Sequence, residues 1–507
     1  MTMLLALVLL ASCSKKQGAM LVPDDAMFVM RFDMKKASEK SGLSGDKSEL
    51  KDWLKKQVKS AGMDKKMRDK VLDIIDDPTK SGIDFTEPVF IYASATDMND
   101  ADVAFVASMA SKGDMVDLLK TIDEVELEDA DGGIKYCQLD PTAAIIFSDD
   151  WFFGGKVDDV DDMIETLKER VAGKGTLEGN KAFEQMCSKN SIAQFLFMGE
   201  GFENIFKNVP DGKEALYQMR EILPENVELK DFAALADFDM NPGEMTLTSE
   251  AIALTKECED YMQETYTWLK PIGDDLTKYI SDKGLSLFIN LDAKKYLDNI
   301  SKMVSGSGID DETLEMLKGI ADNLDGTLAL DLYGIEDSNP LVKFYLGTKN
   351  ADLINLVMQQ IGGDQESSEI EKTGENQYLI PTNYDYDWDS EDFTAVPTAW
   401  AAFGFENGQT YFSTDKDNIF TTPSEKYPTK EIKGKGIYLR FNADFFNQVA
   451  DQANPSARMV CKALGGIFDC AEGYVSDKNV CVFRIAMKDK KKTPVEAISD
   501  IVMMFLN

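Results

Sequence analysis

Between Asn383 and Asp392 acids alternate with aromatic side chains, in the order Asn383-Tyr384-Asp385-Tyr386-Asp387-Trp388-Asp389-Ser390-Glu391-Asp392. Asp385, Asp387 and Asp389 hold the 1, 3, 5 spacing of a calcium loop, in which hard carboxylate oxygens surround a hard cation. The rest of that loop is missing, because Ser390 stands where the turn needs glycine and Val396 where a bidentate glutamate should close the shell. No metal is assigned. A period of two also fits an edge strand or a loop with one face buried and one wet. Tyr384, Asp385, Tyr386, Asp387, Trp388 and Asp389 are therefore carried forward as a candidate recognition loop, beside the plainer reading of a structural strand.

Other chemistry is narrowed by what the chain lacks. It contains 0 histidines, which removes Ser-His-Asp and Cys-His hydrolases, HExxH metalloproteases and His-ligated zinc. Catalysis would have to rest on carboxylates, lysine, tyrosine, or serine with lysine as base. Ser-x-x-Lys occurs at Ser12/Lys15, Ser44/Lys47 and Ser48/Lys51, in polar stretches where chance produces it. A pair of carboxylates about 5 to 9.5 Å apart would suffice for glycoside cleavage, but 90 acidic residues offer too many pairs to choose from. No catalytic residue and no cofactor is assigned, and the balance falls against an enzyme. Beyond Cys13, the cysteines are Cys137, Cys187, Cys258, Cys461, Cys470 and Cys481. An even number in an exported chain permits disulfides without requiring them, and small buried thiols are the equal alternative.

The expectation of export comes from Leu4-Leu5-Ala6-Leu7-Val8-Leu9-Leu10, an apolar run ending in Ala11-Ser12-Cys13. A short apolar core followed by small residues is the pattern of a signal peptide. It falls short of the roughly 20 apolar residues a transmembrane helix needs. Leu10-Ala11-Ser12-Cys13 resembles the bacterial lipobox, whose cysteine receives a diacylglycerol, although no Lys or Arg precedes the run. Residues 1–13 are thus expected to be a signal peptide ending at a lipidated Cys13, and residues 14–21 a tether. The membrane is the first expected partner, held through that lipid.

The body that follows is large and acidic. With 507 residues, 44% hydrophobic and 10% aromatic, it suits two globular domains or more. A formal charge of −36 disfavours nucleic acid as a partner and general adhesion to anionic lipid. Acidic runs such as Asp158-Asp159-Val160-Asp161-Asp162 read as a solvated helix face or the first turn of a helix, not as a site.

The elements that must position any site repeat along the chain. A β-rich run, a polar residue and an amphipathic helix recur from Phe28, Phe195, Leu287 and Tyr438. Val103-Ala104-Phe105-Val106 and Val342-Lys343-Phe344-Tyr345 form a further matched pair of strands. Each precedes a helix, striped by Met115, Leu118, Leu119 and Ile122 in one and Ile354, Val357, Met358 and Ile361 in the other. Hairpins follow at Asp149-Asp150 and at Asn407-Gly408, and each half closes on another, around Asn241-Pro242-Gly243 and Asp477-Lys478. The expected fold is α+β in two duplicated halves, each an antiparallel sheet with helices mainly on one face. The halves span residues 22–253 and 285–507, joined by a helical connector at 254–284. A cleft between such halves is the usual place for a ligand.

With these features in place, the chain resembles an uncharacterised family of Bacteroidetes lipoproteins, a domain of unknown function. The resemblance rests on the lipobox at Cys13, on Val22-Pro23-Asp24-Asp25-Ala26-Met27-Phe28-Val29, on Lys40-Ser41-Gly42-Leu43 and on the duplicated layout. It implies an envelope location in a Gram-negative bacterium and carries over no catalytic residue. Ser14-Lys15-Lys16 departs from the acidic run of a surface-export signal, which places the protein on the outer membrane facing the periplasm. The expected role is a non-enzymatic protein- or ligand-binding scaffold. The alternatives are glycan binding through Trp388 and Trp400, or a histidine-free carboxylate glycoside hydrolase.

Overall fold

The computed structural model describes residues 17–498 except 42–48, 96–100, 123–124, 209–211, 274, 305–310, 337–338, 363–369, 387–394, 422, 424–426, 428, 453 and 477–479. Cys13 and its leader, the Ser-x-x-Lys serines, the turn at Asp477-Lys478, and Asp387, Trp388 and Asp389 lie outside the described residues. The chain is α+β and divides into two compact units. One comprises Met1–Pro242, Ser249–Asp260 and Lys491–Asn507; the other comprises Gly243–Thr248 and Tyr261–Lys490.

The first unit contains β1 (Phe28–Phe32), β2 (Val89–Ala95), β3 (Ala101–Ser108), β4 (Glu128–Ala130), β5 (Ile134–Asp140), β6 (Ala143–Phe147), β7 (Trp151–Lys156), β8 (Ala193–Met198) and β9 (Phe232–Asn241). They are ordered β9-β8-β1-β2-β3-β7-β6-β5-β4, every pair antiparallel. Side chains alternate between faces along a strand, so Val29, Phe90, Tyr92, Val106, Phe153 and Leu196 share one buried side. Helices Val160–Val171 and Lys181–Ser188 close that side with Ile164, Leu167, Phe183 and Met186. Asp159 caps the first of these helices, its carboxylate accepting from the Asp161 and Asp162 amides. The acidic run there is a helix start, as its sequence suggests. On the opposite face Met115 and Leu119, from helix Lys112–Leu119, join Ala107, Phe147 and Phe152.

Strand β10 (Glu244–Ala253) contributes residues to both units. The second unit then runs through β11 (Leu285–Asn290), β12 (Leu324–Glu336), β13 (Asn339–Thr348), β14 (Glu371–Gly374), β15 (Gln377–Tyr386), β16 (Ala395–Glu406), β17 (Gln409–Ser413), β18 (Lys435–Asn442), β19 (Phe468–Ser476) and β20 (Cys481–Met487). Their order is β20-β19-β18-β11-β12-β13-β17-β16-β15-β14, again antiparallel throughout. Each strand of the first unit from β1 to β9 thus has its counterpart ten strands later in the same place of the order. The β16-β17 turn is Asn407-Gly408, with φ of 54° and 74°, the left-handed pair that a two-residue hairpin requires.

Residues 254–284 form helix Lys256–Thr265 and short 3₁₀ turns at Tyr266–Trp268 and Thr277–Tyr279. Their Ile272, Leu276 and Ile280 pack, with Tyr427 and Ile432, onto Phe288, Ala329, Tyr345, Tyr411 and Tyr438 of the sheet. Where the first unit covers this face with two helices, the second covers it mostly with irregular chain.

Candidate functional site: a buried charged row in the second unit

Strand register brings together side chains that are far apart in sequence. Arg484 lies opposite Glu472, Glu472 opposite Arg440, and Arg440 opposite Ser286. The row continues through Asp331, Lys343 and Ser413. Directly opposed residues of an antiparallel pair project from the same face, so the row crosses seven strands on the side covered by the irregular chain. Glu472 and Asp331 are each 1% exposed and Lys343 4%.

At one end the charges satisfy each other. Glu472 Oε1 accepts from Tyr438 Oη at 2.6 Å and from Arg440 Nη1, while Oε2 accepts from Arg484 Nε at 2.8 Å and from its Nη2. Arg440 turns its other edge to Asp282, with Nε to Oδ1 at 2.7 Å and Nη2 to Oδ2 at 3.1 Å, a bidentate pairing. The Lys435 ammonium sits over the Tyr474 and Tyr438 rings, at 3.6 and 4.6 Å from their centres. Burial alone would raise Glu472, but the Tyr438 hydroxyl and the two guanidiniums reverse it and hold the carboxyl below its usual range.

Nearer the middle the row is less well satisfied. Asp331 Oδ2 accepts from the Ser281 amide at 2.8 Å. Its Oδ1 and the Ser281 hydroxyl are buried without a hydrogen-bond partner among the described residues. Burial pushes the Asp331 carboxyl up to about 7, against the pull of the Ser281 amide and Lys343. Burial likewise pushes the Lys343 ammonium down, with Asp331 and Asp415 opposing it. That ammonium lies 5.0 Å from the centre of the Tyr333 ring, whose hydroxyl donates to Asp415 Oδ2 at 2.6 Å.

The first unit has a polar group of its own on a different ladder. Gln194 Oε1 accepts from Arg31 Nη1, and Gln194 Nε2 donates to Ser191 Oγ at 2.5 Å and Asp237 Oδ1 at 3.1 Å. At the positions that match Asp331 and Lys343 the first unit has the cross-strand pair Tyr92 and Ala104. The Asp331–Lys343 pair therefore has no charged counterpart there.

Chemically the row offers internal charge balance and one carboxyl that titrates near neutrality. Glu472 and Asp331 are three strand spacings apart, about 14 Å at roughly 4.8 Å each, beyond the separation a glycosidase pair uses. Both are closed off by the protein's own chain, through Ser281 onto Asp331 and Asp282 onto Arg440. Among the described residues no group of three or more Cys, Asp or Glu could hold a metal ion. None of their helices is long and apolar enough to cross a membrane.

The residues singled out from sequence are not drawn into this row. Tyr384, Asp385 and Tyr386 end strand β15, opposite Pro397, Val396 and Ala395, with Tyr384 half-buried. Trp400 is half-buried in β16 opposite Pro381, Trp151 is buried, and Trp268 lies 4.9 Å from the Tyr296 ring. Among the described residues Cys137, Cys258, Cys461, Cys470 and Cys481 are free thiols. Burial pushes Cys258 up to about 11, and raises Cys137 as well, whereas Cys481 is exposed. Brief alkylation of a Cys13→Ala chain, read by peptide mass spectrometry, is expected to mark Cys481 well before Cys137 or Cys258, because thiolate and access are both needed. Equal labelling of the three would contradict this burial.

Residues 19–133 match the family model described as a domain of unknown function, DUF4836. No curated protein matches the chain. Among solved structures it is similar to crystal form III of TP0453, at 10% identity and a TM-score of 0.28, covering 51% of this chain and 90% of that one. Crystal form IV of TP0453 gives 10% identity and a TM-score of 0.29, covering 47% and 81%.

Proposed function

We propose that this chain is a cell-envelope lipoprotein of the Bacteroidetes type, anchored through Cys13 to the outer membrane on its periplasmic side. In that place it acts without catalysis, as a scaffold or binding protein for another envelope protein or a small ligand. The observation that supports a non-enzymatic role is the closure of the charged row. At its Glu472 end the ionised groups are directed at one another, and the segments carrying Ser281, Asp282 and Tyr427 lie over the row. Charges paired in this way serve strand register and are not free to act on a substrate. The repeated strand order supports descent of both units from one duplicated α+β ancestor.

The anchor is tested by growing cells with a labelled fatty acid and partitioning the protein between detergent and aqueous phases. The wild-type chain is expected to carry label and enter the detergent phase, and Cys13→Ala to lose both properties. A labelled Cys13→Ala chain, or an unlabelled wild-type one, would reject the reading. Crosslinking of the anchored protein in intact envelopes then identifies what it holds.

A further inference from the structure

The first unit carries three helices that follow β1: Met34–Ser41, Glu49–Ser60 and Lys65–Asp76. None of their described side chains is buried. Helices Val160–Val171 and Lys181–Ser188 of the same unit bury three residues each. Yet the three helices are amphipathic. Trp53, Leu54 and Val58 line one of the longer two, and Met67, Val71, Ile74 and Ile75 the other, all half-buried; Met63 between them is 41% exposed. Helices of this length are marginal by themselves and depend on covering an apolar stripe. Here the stripe is only partly covered.

Charge indicates what completes it. Residues 34–76 hold twelve Lys and Arg against eight Asp and Glu, in a chain that has 54 against 90. The reversal of sign is local to these helices and their links. Some of this charge is balanced internally, as Lys51 and Lys55 reach Asp76 at 3.3 and 2.5 Å. Lys56, Lys59, Lys65 and Lys66 are exposed on these helices, and Lys66 donates to the Lys120 carbonyl at 2.9 Å. Exposed lysines on helices with a half-covered apolar stripe, and a tryptophan in that stripe, are the composition of an element that lies in a membrane interface. Anionic headgroups meet the lysines while Trp53 and its neighbours enter the acyl boundary.

We infer that the helices Glu49–Ser60 and Lys65–Asp76 form a docking surface for an anionic phospholipid bilayer. This goes beyond the lipid anchor and does not depend on it. The anchor holds the chain to a membrane through Cys13, and a basic amphipathic surface adds a second, separate contact. The strongly negative remainder of the protein would be repelled from the same bilayer, so the basic helices also select which side faces it.

The test uses the full chain with Cys13→Ala, so that no lipid is attached, and vesicles of phosphatidylglycerol with phosphatidylethanolamine against phosphatidylcholine alone. Because the apolar leader is present in every sample, the readout is the ratio of the two affinities in co-sedimentation. A clear preference for the phosphatidylglycerol vesicles is expected, falling away as salt rises from about 0.1 M to about 1 M. The variant Lys56→Gln, Lys59→Gln, Lys65→Gln should lower that ratio on the order of a hundredfold, since each lysine near such a surface is worth about fivefold. These side chains are exposed, so the variant should keep the wild-type circular dichroism and melting curve. Trp53→Phe should remove the blue shift of fluorescence that accompanies binding. Equal affinity for both vesicle types, or an undiminished ratio in the lysine variant, overturns the inference. Absence of vesicle binding overturns it too, and would assign the surface to an acidic protein partner.

Discussion

Replacing Glu472 with alanine is expected to destabilise the second unit by about 3–5 kcal/mol, the usual effect of removing one member of a buried ion group. The carboxylate stands between Arg440 and Arg484 on adjacent strands and also accepts from the Tyr438 hydroxyl. Without it two guanidiniums face each other with little water between them, and the hydroxyl loses its acceptor. The triple change Arg440→Leu, Glu472→Met and Arg484→Leu should recover most of the loss, because apolar packing of similar volume replaces a desolvated ion group at little net cost. Recovery should be incomplete, since Asp282 and Glu244 lose their arginines. Hydrogen exchange across β18, β19 and β20 measures the free energy locally. A loss below about 1 kcal/mol for the single variant would mean that the carboxylate is solvated. The pH dependence follows from the downward shift of Glu472. A carboxyl with a depressed folded value stabilises above its unfolded value, and that contribution is lost only as the pH falls through the folded one. The triad should therefore be intact at neutral pH and fail in acid.

Fold and row were legible in the sequence to different degrees. Hydrophobic periodicity and turn chemistry carry the strands Phe28–Phe32, Leu285–Asn290 and Lys435–Asn442, the Asn407-Gly408 hairpin and the Asp159 cap, because these depend on neighbours within a few residues. The row depends on register between strands up to 240 residues apart, as for Ser286 against Arg440 or Glu244 beside Arg484, which no local window contains. The local pattern points the other way. Asp331 lies between Leu330 and Leu332, Lys343 between Val342 and Phe344, and Arg440 between Leu439 and Phe441. Ordinary alternation turns a charge flanked by apolar residues to solvent, whereas Asp331 and Lys343 are buried. The aromatic-acid run at Tyr384 drew attention by composition instead, and its described residues end a strand away from the row. Total charge misled in a related way, since −36 averages over the basic helices of residues 34–76.

The second large effect concerns Asp331, whose carboxyl burial raises from 3.8 to about 7. Between those values the folded chain keeps a proton that the unfolded chain has released. Stability should therefore fall as the pH rises from about 4 to about 7, by at most on the order of 4 kcal/mol. The groups that face it are Lys343 across the strand pair, Ser286 on its other side, and Ser281 and Asp282 from the covering segment. Lys343 is shifted downward from 10.5, so its own unfavourable contribution grows as the pH falls from that value and begins well above this window. Asp331→Asn removes the titrating group and keeps an oxygen for the Ser281 amide. The variant should be more stable than wild type at pH 8, and close to it at pH 5. Hydrogen exchange of β12 and β13, corrected for intrinsic rates, separates this from the first unit, where Tyr92 and Ala104 occupy the matching ladder positions. If β12 in the wild-type chain proves as stable at pH 8 as at pH 5, Asp331 is not held protonated by burial. A slope present in wild type, absent in Asp331→Asn and absent from β2 and β3 would assign the proton to this carboxyl, and with it a neutral-pH sensitivity to the segment that covers the row.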